Sequence, residues 1–171
     1  MDVPQIDGLE LIENFITEKE EKIIMEFIDA QEWNTTLKRR TQHYGYLYEY
    51  KSKDIKKTRP LEDVILKVAN RIQKREIMKP EQCIVNEYLN GQGISPHIDS
   101  LNFGPIICSL SLLEDENMIF ERDEKKECIL LPRRSLLVLK NDARYLYKHS
   151  LRAKRKEGYR RISMTYRTIK T

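Results

Sequence analysis

The chain contains three histidines, and two of them can form a metal site with one aspartate. His97 and Asp99 are separated by one residue, so in extended backbone both side chains point to the same face and can hold one ion. His149 follows about 50 residues later and would complete the site from a distant strand. Two imidazoles and one carboxylate leave three octahedral positions open, which suits Fe(II) that must also bind oxygen and a chelating cosubstrate. Taken alone, His-x-Asp is frequent by chance and His149 could equally be a surface histidine.

A second pattern predicts an anion site beside the metal. The segment 161–167 alternates polar and apolar residues, as a strand with one polar face does. Its polar positions are Arg161, Ser163, Thr165 and Arg167. In one interpretation this face lies in water; in the other it faces the metal, where unpaired guanidinium groups are costly and require an anion. A small dicarboxylate would supply two carboxylates for bidentate pairing, and Asn86 and Tyr88 share one face of an earlier strand that could donate to it.

Candidate substrate contacts lie in segment 38–50, which mixes basic and aromatic residues. Aromatic rings can stack on a nucleobase, and Arg or Lys can hold phosphate. The candidates are Arg39, Arg40, His43, Tyr44 and Tyr46. The alternating tyrosines 44, 46, 48 and 50 could equally form one face of a β-hairpin. A further basic segment, 152–160, would either contact backbone phosphates or form a solvated loop.

Two helices and a set of strands must position these residues. Thr17 and Glu20 have the spacing of a capping box, and the apolar periodicity that follows predicts a helix over 18–31. A second helix is predicted after Pro60, and Pro80 bars its continuation. Strands are predicted at 83–89, 105–112, 117–121, 127–131, 135–139 and 161–169. The fold class is α+β, mainly β: a jelly roll with N-terminal helices packed on one sheet.

Length and composition bound the interpretation. The 171 residues favour a single domain spanning 1–171, and the net charge of +4 is weak support for a polyanionic partner. Three widely spaced cysteines without a CxxC pair argue against a thiolate zinc site or a disulfide framework. The N-terminus lacks the order of a signal peptide, and no apolar run is long enough to cross a bilayer. We therefore expect an intracellular protein, cytoplasmic or nuclear, without membrane association.

In these motifs the chain resembles the AlkB family of Fe(II)- and 2-oxoglutarate-dependent dioxygenases. The matching motifs are Asn-x-Tyr at Asn86 and Tyr88, His-x-Asp at His97 and Asp99, the distal His149, and Arg-x5-Arg at Arg161 and Arg167. The resemblance covers about residues 9 to 170 and implies a double-stranded β-helix fold.

The resemblance also implies roles for these residues. His97, Asp99 and His149 would bind Fe(II) and form the catalytic centre. Arg161 would pair with the distal carboxylate of 2-oxoglutarate, with help from Tyr88 and Ser163. Arg167 and Asn86 would hold the end of the cosubstrate near the metal.

The implied reaction consumes 2-oxoglutarate and O2 and hydroxylates a C–H bond. On an N-alkylated base of DNA or RNA, single-stranded or flipped out, the product would lose formaldehyde. Segments 40–46, 92–99, 131–138 and 143–146 are similar to the hydroxylase domain of tRNA wobble-uridine enzymes, which implies an alternative in which the hydroxyl stays on a uridine side chain. A third alternative is a catalytically inactive nucleic-acid-binding module, against which the intact ligand set argues. We expect a monomer without the RNA-binding and methyltransferase domains of those tRNA enzymes.

Overall fold

The computed structural model describes residues 5–49 and 51–170. Its elements are, in chain order, β1 (Leu9–Ile12), α1 (Glu18–Asp29), β2 (Thr41–Tyr44), β3 (Tyr46–Tyr48), β4 (Ile55–Lys57), α2 (Asp63–Lys74), β5 (Gln82–Leu89), β6 (Ile94–His97), β7 (Ile107–Leu112), β8 (Glu116–Arg122), β9 (Lys125–Leu131), β10 (Leu136–Leu139), α3 (Asn141–Tyr145), β11 (Lys148–Leu151) and β12 (Arg160–Arg167). No helix in the described ranges is long and apolar enough to cross a membrane.

Two antiparallel sheets form the jelly roll, as expected. The larger sheet has six strands in the order β1-β10-β7-β12-β5-β2, and the smaller has four in the order β6-β11-β8-β9. β12 lies inside the larger sheet and pairs with β5 on one side and β7 on the other. A third, two-stranded sheet joins β3 to β4. The polar side chains of β12 and residues of the smaller sheet line the pocket between the two main sheets.

The helices cover the outer face of the larger sheet. Thr17 caps α1 with the predicted capping box: its hydroxyl accepts from the Glu20 amide, and the Glu20 carboxylate accepts from the Thr17 amide. The buried side chains of α1 and α2 pack with the apolar positions of β12, which are Ile162, Met164 and Tyr166. This burial leaves the alternate positions of β12 facing the other sheet.

The strand ranges predicted from the sequence cover six of the twelve strands in the described residues; extended backbone at His97 and a strand at His149 were expected, but without bounds. β1 to β4 precede residue 82, where strands were predicted to begin, and β6 and β11 have four residues each. Short strands contain too few positions for alternation to be read, and Pro96 inside β6 weakens the pattern further. Tyr46 and Tyr48 do lie on a hairpin, whereas Tyr50 lies outside the described residues.

Candidate metal and cosubstrate site

The three predicted metal ligands come together at one end of the smaller sheet. β6 and β11 pair antiparallel, with His97 directly opposite His149, and their ring centroids are 4.3 Å apart. Asp99 follows β6 by two residues, and its Oδ1 lies 3.4 Å from the Nε2 of each histidine. His97 Nδ1 lies 2.8 Å from the Ser95 carbonyl oxygen, to which it donates, so Nε2 is left to bind a metal. One candidate ligand atom from each residue lies within 4.8 Å of the others, and two imidazoles with one carboxylate are the donor set that Fe(II) oxygenases use.

Arg167 holds the second oxygen of the aspartate. Its Nη1 lies 2.8 Å from Asp99 Oδ2, its Nε donates to Gln82 Oε1, and its guanidinium stacks 3.7 Å from the Phe103 ring centroid. Burial would raise the pKa of Asp99, but Arg167 and the two histidines outweigh it and hold that pKa well below its usual range. Asp99 is therefore ionised and oriented, with Oδ1 directed at the histidines.

The loop that carries Asp99 is fixed by a buried arginine. Arg144, 2% exposed, lies on α3 and donates hydrogen bonds of 2.9–3.2 Å to four backbone carbonyls. Those carbonyls belong to Asp99, Ser100, Phe103 and Gly104. Four donated bonds from one rigid guanidinium define the path of residues 99–104, so Arg144 positions the candidate metal ligand Asp99 through its backbone.

Arg161 is a buried cation in the wall of the same pocket. It is 1% exposed, and Ser111 Oγ accepts a hydrogen bond of 2.8 Å from its Nη2. In the described chain its Nε and Nη1 are buried without a hydrogen-bond partner, and it forms no ion pair. Burial lowers the pKa of Arg161 because the charged form loses hydration. A carboxylate on either edge of the guanidinium, bound to Nη2 together with Nε or with Nη1, would satisfy one of the orphan donors, so these residues fit the distal end of 2-oxoglutarate.

The remaining predicted cosubstrate residues line the same pocket. Asn86, Tyr88 and Ser163 surround it together with Arg161 and Arg167. Ser163 Oγ lies 2.9 Å from Ser109 Oγ, and the Tyr88 ring centroid lies 5.7 Å from the Arg161 guanidinium carbon. Register explains the grouping, because Arg161 lies opposite Tyr88 and Ser163 opposite Asn86 in the β12–β5 pair.

Only some of the predicted substrate residues reach the pocket. Arg39 lines it, donates from Nε to Asn86 Oδ1 at 2.9 Å, and lies 5.9 Å from the Tyr88 centroid. Arg40 instead pairs with the buried Glu87 through two hydrogen bonds and stacks on Trp33, so it serves the scaffold.

Tyr44 is a correction, because its side chain lies in the core. It is 0% exposed, packs with the helices, and donates to Gln42 Oε1. His43 and Tyr44 are consecutive in β2, so they point to opposite faces and cannot both contact a substrate. His43 lies opposite Ile84, a pocket residue, and burial lowers its pKa to about 4. Tyr46 is partly exposed on β3.

Several positioning residues were not predicted from the sequence. They are Gln82, Phe103, Ser109, Ser111 and Arg144. The two serines could have been predicted as pocket residues. They interrupt the otherwise apolar strand β7 at alternate positions and therefore share one face. The other three act through contacts between distant segments, for which local spacing gives no signal.

The comparisons with known proteins agree with this geometry. Residues 14–167 match the family model of the 2OG-Fe(II) oxygenase superfamily. A tRNA (carboxymethyluridine(34)-5-O)-methyltransferase of Xenopus tropicalis is 32% identical over 84% of this chain, and the match covers 25% of that protein. An alkylated DNA repair protein ALKBH8 homolog of Arabidopsis thaliana is 32% identical over 96% of this chain and 59% of its own length.

A structural comparison points the same way. The solved structure of OsALKBH1 superposes with a TM-score of 0.79 at 15% identity, covering 97% of this chain and 99% of that one, which supports the fold. The cofactors of the family are Fe(II), 2-oxoglutarate and O2, and the donor set described above fits them. The chain belongs to the AlkB family of the 2OG-Fe(II) oxygenase superfamily and is a 2-oxoglutarate-dependent dioxygenase.

Proposed function

We propose that this enzyme oxidatively dealkylates N-alkylated bases in nucleic acid, with the base single-stranded or flipped out of a duplex. The observation that carries the oxygenase chemistry is the combination in one pocket of the His97, Asp99 and His149 cluster with an arginine that has two buried, unpartnered N–H groups. That combination fits a divalent metal and a chelating diacid side by side.

The bound metal and cosubstrate supply the oxidation: 2-oxoglutarate and O2 become succinate and CO2, and the second oxygen atom enters a substrate C–H bond as hydroxyl. His97, Asp99 and His149 would hold the metal. Arg161 orients the distal carboxylate of the diacid. On an N-methyl group the resulting hemiaminal breaks its C–N bond, which returns the unmodified base and releases formaldehyde.

Support for a nucleic-acid substrate comes from a relative and from the pocket. The Arabidopsis relative carries the name alkylated DNA repair protein, and we carry that substrate class to this chain as part of the proposal. Arg39 adds a pocket cation for which the described residues offer no ion-pair partner. Since a diacid engages Arg161 and the metal, Arg39 remains for an anionic group of the substrate.

A second candidate is hydroxylation of a tRNA wobble-uridine side chain. It is favoured by the match to the Xenopus tRNA enzyme, of which this chain corresponds to about a quarter. The same metal and cosubstrate residues would serve this reaction. The product distinguishes the two candidates, because a hydroxyl on carbon stays in place and no formaldehyde forms.

The deciding experiment uses the Fe(II)-loaded protein with 2-oxoglutarate and O2. Oligonucleotides that carry N-methylated bases and tRNA that carries modified wobble uridines are incubated separately, and succinate, formaldehyde and product mass are measured. Dealkylation gives formaldehyde in step with succinate and the unmodified base. The alternative gives succinate and a product heavier by one oxygen atom.

Asp99→Ala serves as the control, because it removes a ligand and should form neither product. Succinate formation by the wild type without oxidation of any nucleic acid would contradict the proposed substrate class. It would leave the oxygenase assignment standing.

A further inference from the structure

Two basic segments that are far apart in sequence lie on one surface. Gln92 Nε2 donates to the Lys38 carbonyl oxygen at 3.2 Å, and on the other side the Gly91 amide donates to the Lys154 carbonyl oxygen at 2.7 Å. The Lys156 amide also donates to Asn90 Oδ1 at 3.0 Å. The turn between β5 and β6 therefore joins the segment before β2 to the segment after β11.

A glycine permits this close approach. Any Cβ at Gly93 would clash with the backbone of Leu151 and Ala153, so a larger residue would force the loops apart. The three loops consequently form one continuous surface, which we call the basic ridge. Its cationic side chains are Lys38, Arg39, Arg152, Lys154, Arg155 and Lys156.

Most of the charge on the basic ridge is not compensated. Among the described residues, none of the ion pairs involves Lys38, Arg39, Arg152 or Arg155. The exposed Lys154 and Lys156 lie 3.9 and 3.6 Å from carboxylate oxygens of Glu116 and Glu114, which is beyond hydrogen-bond distance, so those pairs are weak. Arg160, by contrast, is held by Asp29 and Glu87 and belongs to the scaffold.

The basic ridge begins at the mouth of the pocket. Arg39 lies on both, and the pocket wall includes Ile94, the first residue of β6, and Leu151, the last residue of β11. These residues directly flank the turn and the loop that carry the ridge. A chain of anions lying along the ridge would therefore bring its neighbouring group to the pocket opening.

We infer that the basic ridge binds the phosphodiester backbone of the strand whose base enters the pocket. The inference rests on the proposed function and adds the surface that presents the substrate. Exposed, flexible Lys and Arg without carboxylate partners suit a repeated anion, and neutralising phosphates releases counterions from the nucleic acid. A protein partner would need a packed apolar centre, and the large apolar residue exposed beside the ridge loops is Leu89, the last residue of β5, at 39%.

The test compares two double variants that remove equal charge. Arg152→Gln with Arg155→Gln alters the ridge, and Lys19→Gln with Lys22→Gln alters exposed positions of α1, on the outer side of the larger sheet. Binding of a fluorescent single-stranded oligonucleotide is measured by anisotropy over a range of salt concentrations. The ridge variant should bind more weakly, and its slope of log K against log salt should fall by about 0.7 for each lost phosphate contact. The α1 variant should match the wild type.

Each other outcome overturns the basic ridge, and one of them also overturns the proposed substrate class. Equal binding by the wild type and the ridge variant would overturn the ridge, while oxidation of the oligonucleotide would still support the proposed function. Equal losses in both double variants would indicate that net charge alone matters and would also overturn the ridge. No binding or oxidation of any oligonucleotide by the wild type would overturn the ridge and the nucleic-acid substrate together. Unchanged thermal unfolding of both variants verifies that they are folded.

Discussion

Replacement of Arg161 by Met should make the ligand-free protein more stable and the cosubstrate complex much weaker. Arg161 is buried, forms no ion pair among the described residues, and has two N–H groups without partners. Replacing a buried ion pair by apolar side chains of similar volume is often neutral or stabilising by about 1–4 kcal/mol, and Arg161 has no ion-pair partner among the described residues to lose. The substitution therefore has opposite effects on the free energy of unfolding and on binding, which a purely structural role for Arg161 does not produce.

The loss in cosubstrate binding follows from the same orphan donors. Truncating one partner of a buried, hydrogen-bonded charge pair costs about 2–5 kcal/mol. Since 1.4 kcal/mol is a factor of ten, the Kd for 2-oxoglutarate should rise about 30-fold to 4,000-fold. At a cosubstrate concentration 100 times its Kd, the wild type gains about 2.7 kcal/mol. A 30-fold weaker variant gains about 0.9 kcal/mol at that concentration.

Thermal unfolding with Mn(II) in place of Fe(II) measures both effects without turnover. For a chain of this size 1 kcal/mol corresponds to about 2–4 °C in Tm, so 2-oxoglutarate should raise the wild-type Tm by about 5–11 °C and the variant Tm by about 4 °C or less. Arg75→Met is the matched control, because Arg75 is exposed and outside the pocket. An Arg161→Met protein that is less stable without ligand, yet shows the full shift with 2-oxoglutarate, would refute this account.

Three further substitutions test the surrounding structure. Arg144→Met removes four hydrogen bonds to loop 99–104 and should weaken metal binding at least tenfold, measured by equilibrium dialysis; unchanged metal affinity would mean that the loop does not depend on it. Burial would raise the pKa of Glu87, but two arginines lower it overall, so the stability lost in Glu87→Gln should be largest at neutral pH and should vanish as the pH falls through the lowered pKa, measured by urea unfolding. A constant difference across that range would contradict the pairing. Tyr44→Phe should cost about 1 kcal/mol of stability through its lost hydrogen bond and leave oligonucleotide affinity unchanged, because Tyr44 is buried in the core.

Local periodicity was enough to predict the parts of the fold with long, regular elements. In β12 the alternation separates Ile162, Met164 and Tyr166 from the polar face, and the structure confirms both faces. The capping box at Thr17 was readable because it depends on residues three apart. The jelly roll and the covering helices followed from the order of such elements.

Contacts between distant segments were not predictable in this way. Arg144 binds carbonyls about 40 residues away in the chain, and the pairing of Arg167 with Asp99 depends on where β12 ends relative to β6. The error at Tyr44 had a simpler cause: β2 ends at Tyr44 and β3 begins at Tyr46, so the alternation of the tyrosines does not continue along a single strand. The iron and cosubstrate roles of the predicted residues remain predictions that require a bound complex.

A crystal structure of the protein with Mn(II) and 2-oxoglutarate tests the central claim most directly. We predict one metal ion bound by His97 Nε2, Asp99 Oδ1 and His149 Nε2, with the distal carboxylate of the diacid on one edge of the Arg161 guanidinium, where it pairs Nε or Nη1. A metal ion bound elsewhere, or a diacid that leaves those two N–H groups unpaired, would contradict it.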